Sequence, residues 1–199
     1  MMTTSLGIVL FLGVEELDFV GPWEVLRSAQ INTDADLSVC TVAQRRQPIE
    51  CNKGLTIVPQ HDFASCPTLD AVLVPGGRGT RRERGSPAIL GFLRQRCADA
   101  DWMISVCTGV MLLSAAGLIS GRRVTTHWAA IAELRGFDPS LEVCEGERYV
   151  RDGNLLTSAG VSAGIDMSLW LLGELYGPDL ARRVQKGIEY FPVPPYGSA

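Results

Sequence analysis

The chain has 199 residues, 46% of them hydrophobic and 20% charged, with a formal net charge of −4. That composition suits one globular domain over residues 1–199 with a sizeable core, and it excludes a disordered or fibrous chain. With 18 basic against 22 acidic residues, no nucleic-acid partner is expected, because neutralising phosphates takes a concentrated basic face.

Short β-branched runs alternate with helical stretches, the signature of an α/β fold. The expected architecture is a three-layer sandwich, a mostly parallel central sheet with helices on both faces. The first strand covers residues 6–12 (LGIVLFL). It runs into Glu15 and Glu16 without the positive flank or cleavage site of a signal peptide. A helix follows, with Pro22 near its first turn and Trp23, Leu26 and Ile31 on its apolar face. Strand 37–42 comes next, then extended segments at 48–51 and 55–59. The run 71–75 (AVLVP), closed by Gly76 and Gly77, reads as a buried parallel strand. The basic cluster Arg78, Arg81, Arg82 and Arg84 is interrupted by Glu83 and reads as a solvated loop or helix face.

Residues 86–98 place Ile89, Phe92, Leu93 and Cys97 at helical spacing, 102–106 (WMISV) form another central strand, and 109–118 the helix behind it. Beyond Gly121 come a strand at 124–126, a helix at 127–134, and an antiparallel meander at 142–157 turning at Asp152-Gly153-Asn154. Helices at 162–176 and 178–189 and a proline-rich tail at 191–199 complete the chain. No apolar run approaches the roughly 20 residues of a membrane span, so no membrane partner is expected. The six cysteines show no C-x-x-C spacing and there are two histidines, His61 and His127. No metal site or redox pair is expected from them, and a cytoplasmic location with reduced thiols follows.

Chemistry concentrates at Cys107. The buried run ISV delivers it, and Thr108-Gly109 turns the chain at once into a helix. This is the strand-to-helix elbow that exposes a nucleophile at the carboxyl end of a sheet. A helix N-terminus lowers a cysteine pKa from its ordinary value of about 8.5. The competing reading is a buried packing cysteine, which is how Cys40, Cys51, Cys66, Cys97 and Cys144 read. Gly76 and Gly77 end the adjacent strand, where their N–H groups, with that of Thr108, are expected to stabilise an anion beside Cys107. Asp18 follows the first strand and is either a helix cap or a functional carboxylate; its neighbours Glu15 and Glu16 read as solvated. His127 is placed either in the same crevice or in a helix-capping or packing role, and His61 in a surface loop.

The segments LDFVGPWEVL, VPGG, SVCTG, AAGLISGRRVTTHW, LTSAGVSAGIDMSL and QKGIEYFPVPP, in that order over residues 6–195, resemble the ThiJ/PfpI superfamily. Within it they are most similar to the isonitrile hydratase branch, and to the amidase-like domains of AraC-type transcription regulators. The resemblance implies a flavodoxin-like sandwich, a homodimer, no cofactor, and Cys107 as nucleophile with Asp18 as its carboxylate partner. The superfamily's intracellular peptidases carry histidine directly after the cysteine, where Thr108 stands, so peptidase activity is not expected. With the sequence ending at Ala199, a regulator's helix-turn-helix, and so a DNA-binding regulator, is not expected.

The implied reaction is hydration of an isonitrile. A Cys107 thiolate adds to the terminal carbon while Asp18 supplies a proton. Asp18 then activates water, which converts the thioimidate to an N-substituted formamide. Asp18 would need a raised pKa; an ionised Asp18 would disfavour the thiolate, but if Asp18 holds its proton and hydrogen-bonds the sulfur, the Cys107 pKa should fall to roughly 5 to 7. The Thr108 hydroxyl would hold the leaving nitrogen or the water. A thin supply of charge around these motifs leads to the expectation of a small apolar substrate. The alternatives are another thiol-dependent hydrolase or a glyoxal-handling lyase, or a redox sensor in which Cys107 is oxidised without turnover.

Overall fold

The computed structural model describes residues 4–193; the end of the proline-rich tail lies outside the described residues. Strand β1 (Thr4–Val9) is followed by helix α1 (Glu16–Asn32) and strand β2 (Leu37–Ala43). Strands β3 (Ile49–Glu50) and β4 (Thr56–Ile57) pair as a small antiparallel hairpin, and β5 (His61–Asp62) pairs with β2. His61 is thus in an edge strand rather than a loop. Next come β6 (Ala71–Val74), α2 (Thr80–Glu83), α3 (Pro87–Cys97) and β7 (Trp102–Val106). A 3₁₀ turn at Cys107–Gly109 leads into α4 (Val110–Ala115), then β8 (Arg123–Val124). A second 3₁₀ turn, Trp128–Ala130, precedes α5 (Ile131–Phe137), β9 (Glu142–Val143), β10 (Tyr149–Asp152), β11 (Leu155–Ser158), α6 (Ala163–Tyr176) and α7 (Pro178–Gly187).

The main sheet has seven strands in the order β10-β11-β7-β6-β1-β2-β5. Every pairing is parallel except that of β10 with β11. All four residues of β6 and of β11 are buried, as a strand covered on both faces requires. Helices α1, α6 and α7 pack together as one layer, and α3 with α4 as the other. The chain leaves β1 toward β2 on one side and returns to β6 on the other, so the order reverses between β1 and β6. A crevice opens at the carboxyl ends of strands at such a reversal.

Several elements differ from the sequence reading. Helix α1 begins at Glu16, so Pro22 is inside it. Proline lacks the N–H that would bond to the Asp18 carbonyl, and α6 packs along the same helix. Ile31 is 66% exposed; the buried face is Phe19, Val25, Leu26 and Ala29. The expected meander is split. Strand β9 pairs in parallel with β8 as a separate two-stranded sheet, while β10 and β11 form the hairpin around Asp152-Gly153-Asn154. Among the described residues no helix is long and apolar enough to cross a membrane.

Candidate active site

Four loops meet at the crevice: the one after β1, the Gly76-Gly77 turn after β6, the elbow after β7, and residues 159–161 after β11. Cys107 sits at the elbow with φ of 57°, a left-handed conformation that is uncommon outside glycine and that marks functional turns. Its N–H bonds to the Ala159 carbonyl at 3.3 Å, and its carbonyl accepts the Thr126 hydroxyl at 2.8 Å. The turn is tight enough that a Cβ on Gly109 would lie 1.9 Å from the Val74 carbonyl oxygen. Cys107 lines a cleft of about 270 Å³ whose wall also includes Glu15, Lys53, Arg78, Thr108, His127 and Val161.

Asp18 belongs to this site. It is wholly buried and its Oδ2 accepts the Gly76 N–H at 2.9 Å. Helix α1 is capped at Glu15 without a side-chain bond, so Asp18 is not a helix cap. The Cys107 thiol and the Val161 N–H lie beside the same carboxyl, and its other oxygen, Oδ1, is buried without a conventional hydrogen bond. Burial pushes the Asp18 carboxyl up to about 7, helped by the charge of Glu15 and opposed by the Gly76 N–H. The raised carboxyl expected from the sequence is therefore present.

The expected low Cys107 pKa is not. Burial, then the neighbouring Asp18 carboxylate, pushes the thiol up to about 12. The N–H and hydroxyl of Thr108 pull the other way and are outweighed. A helix N-terminus favours thiolate and burial opposes it, and here the residue is 7% exposed and its sulfur faces a carboxylate, so burial wins. The resting pair is thus a neutral thiol beside a carboxyl that is half ionised near neutrality.

The other site residues take definite roles. Gly76 lies between Asp18 and Thr108: a Cβ there would be 2.6 Å from the Thr108 nitrogen and 2.8 Å from Asp18 Oδ2. The Gly77 N–H donates to Thr108 Oγ1 at 3.1 Å. Both glycine N–H groups are therefore committed to positioning Asp18 and Thr108, and of the expected anion-stabilising trio only the Thr108 N–H addresses the sulfur. The Thr108 hydroxyl is tied to Gly77 and to Thr80, whose Oγ1 donates to it at 3.2 Å, rather than standing open for a substrate. His127 does both things expected of it. It lines the cleft, and its Nδ1 accepts the Ala129 N–H at 3.2 Å, capping the 3₁₀ turn.

Glu15 is a correction. It is 6% exposed and held by the hairpin between β3 and β4: Asn52 Nδ2 donates to it at 2.7 Å and Lys53 Nζ pairs with it. Glu16 binds the N–H groups of Lys53 at 2.7 Å and Leu55 at 3.3 Å. Nothing in local sequence links the 52–55 turn to residues 15–16; only the fold brings them together. The charge supply at the cleft is also larger than expected, with Lys53, Arg78 and Arg81 all in its wall. Of the remaining cysteines, Cys40, Cys51, Cys66 and Cys97 are buried as expected, and Cys144 is half-buried beside Arg123.

The fold is that of a parallel α/β sandwich with a cysteine at the elbow beside a buried acid, and residues 5–174 match the model of the DJ-1/PfpI family. The chain belongs to that family. It is 41% identical over 198 residues to an isonitrile hydratase of Pseudomonas putida, covering 99% of this chain and 83% of the relative. A ThiJ/PfpI family protein from Pseudomonas syringae has the same fold, with a TM-score of 0.89, 34% identity, and coverage of 98% of this chain and 78% of that one. The HTH-type transcriptional regulator CdhR of Pseudomonas aeruginosa is 31% identical over 186 residues, 93% of this chain, which spans 54% of the regulator's length.

Proposed function

We propose that the protein hydrates isonitriles to N-substituted formamides, with Cys107 as nucleophile and Asp18 as the proton carrier. The observation that carries this reading is the buried Asp18 carboxyl beside the elbow cysteine, held near neutrality and with one oxygen unpartnered. An acid that must both give and take a proton works best with a pKa near the operating pH. The similarity to the Pseudomonas putida enzyme supports the same chemistry.

The neutral resting thiol changes the order of events. Asp18 takes the Cys107 proton as sulfur attacks the terminal isonitrile carbon, and returns it to that carbon, leaving a thioimidate R–N=CH–S–Cys. Water then adds to the carbon; its proton passes through Asp18 to nitrogen. The C–S bond of the adduct breaks, the hydroxyl proton returns to sulfur through Asp18, and R–NH–CHO leaves. The sum is isonitrile plus water, so no cofactor enters the balance. The Thr108 N–H supports the sulfur as charge develops on it. An oxidation sensor asks instead for an exposed thiolate, and the burial and raised pKa of Cys107 argue against that role.

The proposal includes a homodimer. Leu17 and Val20 on α1 are exposed with Leu55, whose N–H is bonded to Glu16, and sedimentation tests it. It also includes a reducing cytoplasmic setting, supported by six free cysteines. The activity is tested by incubating the protein with cyclohexyl isocyanide and following N-cyclohexylformamide. Formation that is lost in Cys107→Ala supports the reading, and formation that survives in it, or its absence from the wild type, overturns it.

A further inference from the structure

The wall of the Cys107 cleft holds three cationic side chains, Lys53, Arg78 and Arg81, against one carboxylate, Glu15. Two of the cations are spent. Lys53 is paired with Glu15, and Arg81 with Glu133 at 2.5 Å, which Arg84 shares at 3.2 Å. Arg78 is different. It is exposed and lines the cleft with Cys107, and among the described residues its guanidinium has no ion pair or hydrogen bond. A positive mouth on a chain of net charge −4 is a local feature that composition does not explain, and such a mouth attracts and orients anions.

We propose that Arg78 is a specificity residue that receives the anionic end of the substrate, so that the isonitriles taken here carry a carboxylate near the reacting carbon. The isonitrile part rests on the hydration reading; the anion part rests on the cleft. Guanidinium presents a planar fork that matches a carboxylate with two hydrogen bonds. A cleft of about 270 Å³ keeps that carboxylate close to the sulfur, with Val161, Ala129 and Ala130 offering an apolar wall between. The expectation of a wholly apolar ligand gives way to a small one that is charged at its outer end.

The test compares two reagents that attack the same sulfur, iodoacetate and iodoacetamide, with labelling of Cys107 read by peptide mass spectrometry. Any change in the thiolate fraction cancels in the ratio of their rates. Arg78→Ala should lower the iodoacetate to iodoacetamide ratio about five-fold, the ceiling for an exposed ion pair. Arg78→Lys, which keeps the charge, should recover part of it, and Arg45→Ala, an exposed arginine outside this cleft, should leave it unchanged. The wild-type preference should shrink in about 0.5 M NaCl, where the screening length falls to a few ångströms. In turnover, the kcat/KM ratio of isocyanoacetate to its methyl ester should drop by a similar factor in Arg78→Ala. An unchanged alkylation ratio overturns the anion site whatever turnover shows. A shifted alkylation ratio with no turnover of either isonitrile upholds Arg78 and overturns the hydration reading instead.

Discussion

Replacing Asp18 by asparagine should separate catalysis from stability. The carboxyl is wholly buried and ionises at about 7 against an ordinary 3.8. A carboxyl whose folded pKa is raised favours the fold in its protonated form. That contribution is complete below about pH 4 and is lost as pH climbs through 7. By proton linkage, ionisation costs the fold about 2 kcal/mol at pH 5 and about 4 kcal/mol at pH 7. Asparagine removes that cost and keeps an oxygen for the Gly76 N–H. Its amide nitrogen replaces Oδ1, which has no conventional partner, and an unsatisfied buried amide costs about 1–3 kcal/mol. The variant should therefore be about 1–3 kcal/mol more stable than wild type at neutral pH, or about 3–8 °C in Tm, and nearly equal to it at pH 5. Its hydration rate should fall by about 10² to 10⁴. Differential scanning calorimetry between pH 5 and 8, with kcat on the same samples, checks both. A variant less stable than wild type at pH 7.5, or a difference that ignores pH, would refute the desolvated carboxyl near neutrality; retained activity would refute the proton carrier.

Cys107→Ala should fold and lose at least roughly 10²-fold in rate, since without the sulfur no thioimidate forms for water to attack; full activity in the variant removes the elbow from the chemistry. Iodoacetamide should label Cys144 before Cys107, and the Cys107 rate should rise about tenfold per pH unit up to pH 9, because its thiol is pushed up to about 12. An inflection between pH 5 and 7 would mean an activated thiolate and contradict the burial argument. Glu15→Gln removes a charge that raises the Asp18 carboxyl and should move the kcat profile to lower pH, whereas Lys53→Ala strips the partner of Glu15 and should move it higher; shifts in the same direction would show that Glu15 does not act through charge. Gly109→Ala would push a Cβ to within 1.9 Å of the Val74 carbonyl and should cost upward of about 3 kcal/mol in urea unfolding, a mild loss showing that the elbow can relax.

What the sequence makes legible here is whatever is encoded locally. Buried parallel strands announce themselves as continuous apolar runs, as at 71–74 and 102–106, and the elbow at Cys107 is readable because strand, cysteine and Gly109 are adjacent. Asp18 carries its signal through the LDFVGP motif. What stayed hidden depends on long-range placement. Glu15 reads as a loop carboxylate until the 52–55 turn is folded against it. The pKa of Cys107 cannot be read from a helix N-terminus alone, because its sign is set by burial and by a carboxylate 89 positions away in the chain. Arg78 looks like part of a solvated basic cluster until α2 carries Arg82 toward Glu83 and the Leu12 carbonyl and leaves Arg78 on the cleft. Helix α1 begins earlier than Pro22 suggests, because proline is commonest in a first turn and here it is tolerated within the helix.

The most direct test of the Cys107–Asp18 account is the rate of N-cyclohexylformamide formation from cyclohexyl isocyanide by the wild type, Cys107→Ala and Asp18→Asn. The account predicts N-cyclohexylformamide from the wild type, none from Cys107→Ala, and no accumulation of product in Asp18→Asn beyond its residual rate. Product at the wild-type rate from Cys107→Ala, or none from the wild type, would contradict it.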